Sequence, residues 1–182
     1  MTKKQTRTVF DVPSFKLRKL SYDEFLGSSE FIPAIELHCD LQELSMIAKR
    51  IDTSRDGRSA VLNYVVTAYA TALSWEERGE ATALILGATL VKDRFAFREE
   101  IDLFTATLKL GIVGTERPFS LSRSVDACKF AWLNNWDSGQ FEYELLCDGI
   151  SELANRWAEA VSSVAKPNAS PRGRGIGVVA AT

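Results

Sequence analysis

The sequence is poor in the residues that most metal sites and nucleophilic sites need. It contains one histidine, His38, and three cysteines that lie far apart, with no Cys-x-x-Cys pair. A structural zinc site normally takes four Cys or His ligands that lie in closely spaced pairs, and no such pairing is present, so we expect no site of this class. Three scattered cysteines do not build a disulfide framework, so we expect them as buried hydrophobic residues in a reducing, cytoplasmic compartment. We therefore expect no metal and no cofactor.

Long apolar runs and nucleotide-binding loops are also missing. No stretch approaches the roughly 18 apolar residues that cross a bilayer, so we predict no transmembrane segment and leave peripheral membrane contact open. The charged start predicts no signal peptide. The glycines of residues 171–177 follow no predicted strand and open no predicted helix, so they are not a dinucleotide fingerprint. Such an Arg/Gly segment is either flexible chain that contacts phosphates or an unstructured end whose charge is incidental.

Charge is the feature that the sequence distributes most unevenly. Residues 1–19 carry a net charge of +5 and residues 165–182 carry +3, while the body between them carries −10. Flexible basic arms on an acidic body can bind a polyanion such as RNA, or the acidic face of a neighbouring subunit. The residues predicted to make these contacts are Lys3, Lys4, Arg7, Lys16, Arg18, Lys19, Arg172 and Arg174.

Hydrophobic periodicity predicts an α+β fold of order β-α-α-β-β-α-β-α. Alternating or continuous apolar residues predict strands at 34–41, 81–91, 101–112 and 143–147. Apolar residues three and four apart predict helices at 44–51, from Ser59 to Gly79, after Ser124, and at 150–164. Without its second and last helices the order becomes βαββαβ, that of a ferredoxin-like core.

This pattern divides the chain into three parts. Residues 1–27 are predicted to be a partly disordered basic arm, residues 28–165 a single α+β domain, and residues 166–182 a disordered Gly/Arg/Pro tail. Residues 34–48 resemble residues 142–157, since both run through a Cys-Asp pair into a Glu-Leu pair. Either a true internal repeat or a coincidence of helix-capping chemistry explains this similarity.

Individual residues offer few candidates for chemistry. Asp52–Gly57 resembles the start of an EF-hand loop, but its twelfth position is Asn63 instead of Glu, so a plain turn is favoured. His38 is expected on the solvent face of its strand, with Cys39 on the opposite face. Trp136 lies in a predicted turn and is the best candidate for an exposed contact residue. The other three tryptophans, Trp75, Trp132 and Trp157, are expected in the core.

Together these features predict a non-enzymatic structural or assembly protein of the coat, nucleocapsid-associated or matrix type. Viruses use proteins of this type, which would place the chain in the host cytoplasm or the virion. It would form homo-oligomers through its acidic body and basic arms. The alternative is a small RNA-associated or adaptor domain, and an enzyme is the weakest class. The order of basic arm, strand, two helices and further strands resembles that of rhabdovirus matrix proteins, in element order alone.

Overall fold

Six helices and one two-stranded sheet form the part of the chain that the computed structural model describes, residues 6–16, 31–79, 81, 100–112 and 119–165. The strands are β1 (Ser14–Lys16) and β2 (Glu100–Asp102). The helices are α1 (Phe31–Thr53), α2 (Gly57–Glu77), α3 (Leu103–Gly111), α4 (Leu121–Leu133), α5 (Ser138–Cys147) and α6 (Ile150–Ala165).

Helix α2 lies at the centre of this arrangement and packs against α1, α3, α4 and α5. Asp56 begins it by accepting a hydrogen bond from the backbone N–H of Ser59, and Gly79 follows its end with a φ of +68°. Its buried residues recur at helical spacing and include Tyr64, Tyr69 and Trp75. Helix α6 packs mainly against α4, which completes the core on the other side.

The sheet is short and ties the N-terminal residues to the body. β1 and β2 pair antiparallel, with Phe15 opposite Ile101. The backbone N–H of Leu103 donates to Pro13 O at 2.9 Å, and Ser14 Oγ donates to Glu100 Oε1 at 3.0 Å. Residues 13–16 are therefore fixed beside the start of α3.

The predicted α+β fold is wrong, because the described residues are mostly helical and lack the predicted strand order. The first predicted strand, 34–41, belongs to α1. Asp40, the acid of the first Cys-Asp pair, lies inside α1 and accepts hydrogen bonds from Trp75 Nε1 at 2.8 Å and from Arg78 at 3.1 Å. A tertiary contact, not a helix start, explains its position. Pro33 lies in the first turn of α1, where a missing N–H costs no helical hydrogen bond.

The strand predicted at 101–112 is also wrong beyond its first two residues. Asp102 ends β2 and caps α3, accepting from Thr105 N at 2.9 Å and Thr105 Oγ1 at 2.7 Å. The alternating apolar residues misled the prediction because α3 is buried on nearly every side, including at Thr107. Thr107 Oγ1 is satisfied within the helix by Leu103 O.

The last predicted strand, 143–147, lies in α5, whose N-cap is Asp137. The helix predicted after it is confirmed as α6, and the long helix ending before Gly79 is confirmed as α2. The strand predicted at 81–91 lies outside the described residues except for Ala81, which is helical. A ferredoxin-like core and the element order shared with rhabdovirus matrix proteins are both ruled out by these corrections.

The two similar segments, 34–48 and 142–157, adopt different structures. The first is continuous helix through Asp40, whereas the second is broken between α5 and α6 at Asp148 and Gly149. Gly149 has a φ of +84°, a conformation that glycine adopts without steric cost. Their shared sequence therefore does not encode a shared turn.

Candidate functional site

The N-terminal residues dock on the body through Arg7. Its guanidinium lies over the Trp132 ring, 4.2 Å from the ring centroid, and Nη1 donates to Trp132 O at 2.8 Å. Nη2 lies 3.8 Å from Glu76 Oε2, which also accepts a hydrogen bond from Trp132 Nε1 at 2.9 Å. Arg7 and Glu76 are both less than a third exposed, so the charges partly lose water and interact more strongly than a surface pair.

Residues after Arg7 form a turn, Thr8–Asp11, that points an aromatic ring into solvent. Asp11 N donates to Thr8 O at 3.0 Å, while Thr8 N and Thr8 Oγ1 donate to Asp11 Oδ2 at 2.7 and 2.8 Å. These bonds hold the pKa of the Asp11 carboxyl below its usual 3.8, since they favour its charged form. Phe10, at the turn, is 78% exposed. The turn is held by Arg7 on one side and by β1 on the other.

A cleft lies at the opposite end of α2. It has a volume of about 520 Å³ and is open to solvent between the start of α2 and the turn that joins α5 to α6. Its apolar lining comes from four residues and its charged lining from two. The apolar residues are Ile51, Val61, Leu62 and Ile150, and the charged residues are Arg58 and Asp148.

The end of the molecule around this cleft is basic. Lys49, Arg50, Arg55 and Arg58 are exposed within ten residues at the junction of α1 and α2. Only two acids, Asp52 and Asp56, lie in the same ten residues. Hydrogen bonds from Ser59 lower the pKa of Asp56, which keeps that N-cap ionised. The junction therefore carries a net positive charge.

Residues 137–165, which include α5 and α6, form a strongly acidic segment. They contain six acidic residues against one arginine, Arg156, a net charge of −5. Arg156 is bound within the segment, with Nη1 at 2.9 Å from Asp148 Oδ2 and Nε at 3.4 Å from Glu152 Oε1. Exposed apolar side chains lie on the same two helices. They are Tyr143 and Leu146 on α5, and Val161 and Val164 on α6.

The hydroxyls of the buried tyrosines form hydrogen bonds with backbone carbonyls, which stabilises the core. Tyr64 OH donates to Leu108 O at 2.6 Å and Tyr69 OH donates to Trp136 O at 2.7 Å. Burial raises the pKa of both phenols and of the Cys128 thiol, so all three stay protonated. Within the described ranges, no three His, Cys, Asp or Glu side chains gather as a metal site would require. Among those same residues, no helix is long and apolar enough to cross a membrane.

The structure locates only some of the predicted site residues. Arg7 is held against the body, and Lys16 lies in β1 opposite Glu100. Trp136 is half-buried, with its ring edge-to-face against Phe130 at 5.5 Å. His38 lies in α1, but its side chain is outside the described residues. The same holds for the whole of Lys3, Lys4, Arg18, Lys19, Arg172 and Arg174.

The predicted burial of the tryptophans is correct, whereas that of the cysteines is correct for one of the three. Trp75, Trp132 and Trp157 are buried, as predicted. Cys128 is also buried, but Cys39 and Cys147, expected in the core, are exposed because their predicted strands are helices. Sequence reasoning missed Phe10, although Thr8-x-x-Asp11 has the capping-box spacing, in which the later acid accepts from the earlier backbone N–H.

Comparison with known proteins yields no relative: no family model, curated protein or solved structure matches this chain.

Proposed function

We propose that this chain is a non-enzymatic structural protein that self-associates, with basic segments of one copy contacting the acidic α5–α6 segment of another. The observation that carries the proposal is the net charge of −5 on residues 137–165, together with the exposed apolar side chains of the same helices. A surface that is acidic and partly apolar fits a basic protein segment better than it fits the phosphates of a nucleic acid.

Ion pairs within the described body reduce the number of cations that could contact RNA. Four of its cations are already paired with carboxylates inside the chain, namely Arg7, Arg78, Lys129 and Arg156. Pairs of this kind neutralise cations that would otherwise meet phosphates. The segments 1–5 and 166–182, rich in Lys, Arg and small residues, supply the complementary charge.

Light scattering coupled to size-exclusion chromatography tests the proposal. We expect the weight-average mass to rise with protein concentration in the absence of nucleic acid and to fall with added salt, because salt screens exposed charges. Replacing Glu142→Gln and Glu159→Gln, both exposed, should weaken this association. Glu43→Gln, an equivalent change at an exposed site on α1, should leave it unchanged. A chain that stays monomeric at every concentration contradicts the proposal, and a monomer that binds RNA would favour the adaptor function.

A further inference from the structure

We propose that Phe10 of one copy inserts into the cleft between α2 and α6 of the next copy, so that the chain assembles head to tail. This inference rests on the proposed self-association and adds an apolar contact to it. Phe10 is the most exposed of the large apolar side chains in the described residues, at 78%, and it lies on a turn that hydrogen bonds hold rigid. Because these bonds fix the backbone that carries Phe10, little backbone entropy is lost when a partner covers the side chain.

The cleft has the chemistry that an aromatic side chain requires. Its four apolar residues, Ile51, Val61, Leu62 and Ile150, come from three different helices. A volume of about 520 Å³ exceeds what one phenylalanine ring fills, which leaves room for the backbone of the turn that carries it. Phe10 is not among the residues that line the cleft of its own chain.

The two features lie toward opposite ends of α2. Arg7, which anchors the turn, contacts Glu76 in the last turn of α2, whereas Arg58 and Val61 line the cleft from the first two turns. At about 1.5 Å per residue, positions 61 and 76 are about 22 Å apart along the helix axis. A contact between different surfaces of identical subunits is heterologous, and it propagates into a chain or closes into a ring.

Charge at the two ends is complementary. Exposed acids near the Phe10 turn are Asp11, Glu77 and Asp137. Exposed cations beside the cleft are Lys49, Arg50, Arg55 and Arg58. The acidic α5–α6 segment also borders the cleft through Asp148.

A pair of complementary variants tests the inference on the full chain. Phe10→Ser removes the inserting side chain, and Ser151→Arg places a long cation in the cleft; both positions are exposed, so the fold should be retained. Each variant alone should weaken association at least tenfold, which corresponds to about 1.4 kcal/mol. Mixed together, they keep one intact contact, and light scattering should show a heterodimer that does not grow. Arg58→Glu provides a second change at the cleft, with the same expected effect.

The controls separate this inference from the proposed function. Met46→Ser removes another exposed apolar side chain that does not line the cleft, and it should leave association unchanged. If the parent chain assembles and Phe10→Ser assembles equally well, the Phe10 contact is refuted while self-association stands. A parent chain that remains monomeric refutes both. If neither single variant forms larger assemblies and their mixture forms no heterodimer, the Phe10 contact is also refuted.

Discussion

The Arg7 guanidinium lies 4.2 Å from the ring centroid of Trp132 and donates to that residue's carbonyl oxygen, so one side chain fastens the N-terminal residues to α4. We expect Arg7→Ala to lower the free energy of unfolding by about 1–2 kcal/mol, the sum of a partly desolvated cation–π contact and a hydrogen bond. Chemical denaturation followed by tryptophan fluorescence measures this decrease. Arg123→Ala, an exposed arginine on the same helix, is the control and should cost less than about 0.5 kcal/mol.

Gly111 lies against Tyr64, and a methyl group cannot be added there without movement. A Cβ at Gly111 would overlap Tyr64 Oη, which donates to Leu108 O in the core. We expect Gly111→Ala to destabilise the fold by about 1–3 kcal/mol. Gly139→Ala, where a Cβ would come no closer than 3.4 Å to another side chain, should be neutral or slightly stabilising because alanine favours helix. In the double variant with Tyr64→Phe, the two costs should not add, and additive costs would show that the two residues do not clash.

The spacing of apolar residues predicts a helix reliably when one side of that helix is buried. It misleads when the helix is buried on most sides. The stripe that predicted α2 is partly right: Val65, Tyr69 and Ala72 are buried, while Leu62, Val66 and Leu73 are half-buried. Exposed residues such as Asn63 and Ser74 lie off this stripe. Helix α3 is buried almost all round, so the spacing of its apolar residues does not distinguish a helix from a strand. Contacts between distant residues, such as Trp75 with Asp40, have no local signal at all. The cleft also has no local signal in the sequence, because α1, α2 and the α5–α6 turn meet only in the folded chain.

Trp157 and Val164 lie on the same stripe of α6 but differ in burial. Trp157 is 9% exposed and packs in the core, whereas Val164 is 48% exposed near the end of the helix. We expect Trp157→Ala to cost about 3–5 kcal/mol, as truncation of a buried aromatic does. Val164→Ala should change the melting temperature little. Equal effects of the two substitutions, measured by calorimetry, would mean that the stripe is buried evenly along its length.

Three cysteines in two environments give a chemical test of the helical fold. Cys39 and Cys147 are exposed, while Cys128 is buried and its thiol pKa is raised by desolvation. We expect iodoacetamide to alkylate two thiols in the native protein and the third only after unfolding, because the thiolate is the reactive form. The raised pKa makes folding favour the neutral thiol, so this contribution to stability is present below the ordinary pKa and is lost as pH rises above it. Mass spectrometry after proteolysis identifies the protected residue, and protection of Cys39 or Cys147 would contradict the fold.

The turn that presents Phe10 should depend on the ionisation of Asp11. Hydrogen bonds from Thr8 lower the pKa of Asp11, so the stabilisation of the turn is present above the usual carboxyl pKa and is lost as pH falls through the lowered value. We expect Thr8→Val to raise the pKa of Asp11 toward 3.8, as measured by NMR titration of the carboxyl carbon. Asp56, whose pKa is lowered by Ser59 in a different turn, is the internal control and should titrate as before. An unchanged Asp11 titration would show that the Thr8 hydroxyl does not hold the turn.

Arg7 is held against the body by Trp132 and Glu76. Replacing Arg7 therefore perturbs the fold as well as any interaction with a partner. Replacing Lys3, Lys4, Arg18 and Lys19 with Gln instead leaves that anchor in place. We expect this four-Gln variant to melt like the parent but to associate more weakly, and its association to respond less to salt because fewer charge pairs form.

Light scattering at several salt concentrations, beside an RNA-binding titration, measures both properties of the four-Gln variant. If these residues served RNA instead, affinity for RNA would fall, and its logarithmic salt slope would shrink by about 0.7 for each phosphate that is no longer neutralised. Assembly would then be unchanged, and the proposed function would be wrong. If assembly weakens while RNA affinity does not change, the basic segment contacts protein. A charge exchange with the acidic α5–α6 segment then tests whether that segment is its partner. Glu142→Lys combined with one Lys→Glu change in the N-terminal segment would then recover part of the association, because exchanging opposite charges restores the pair.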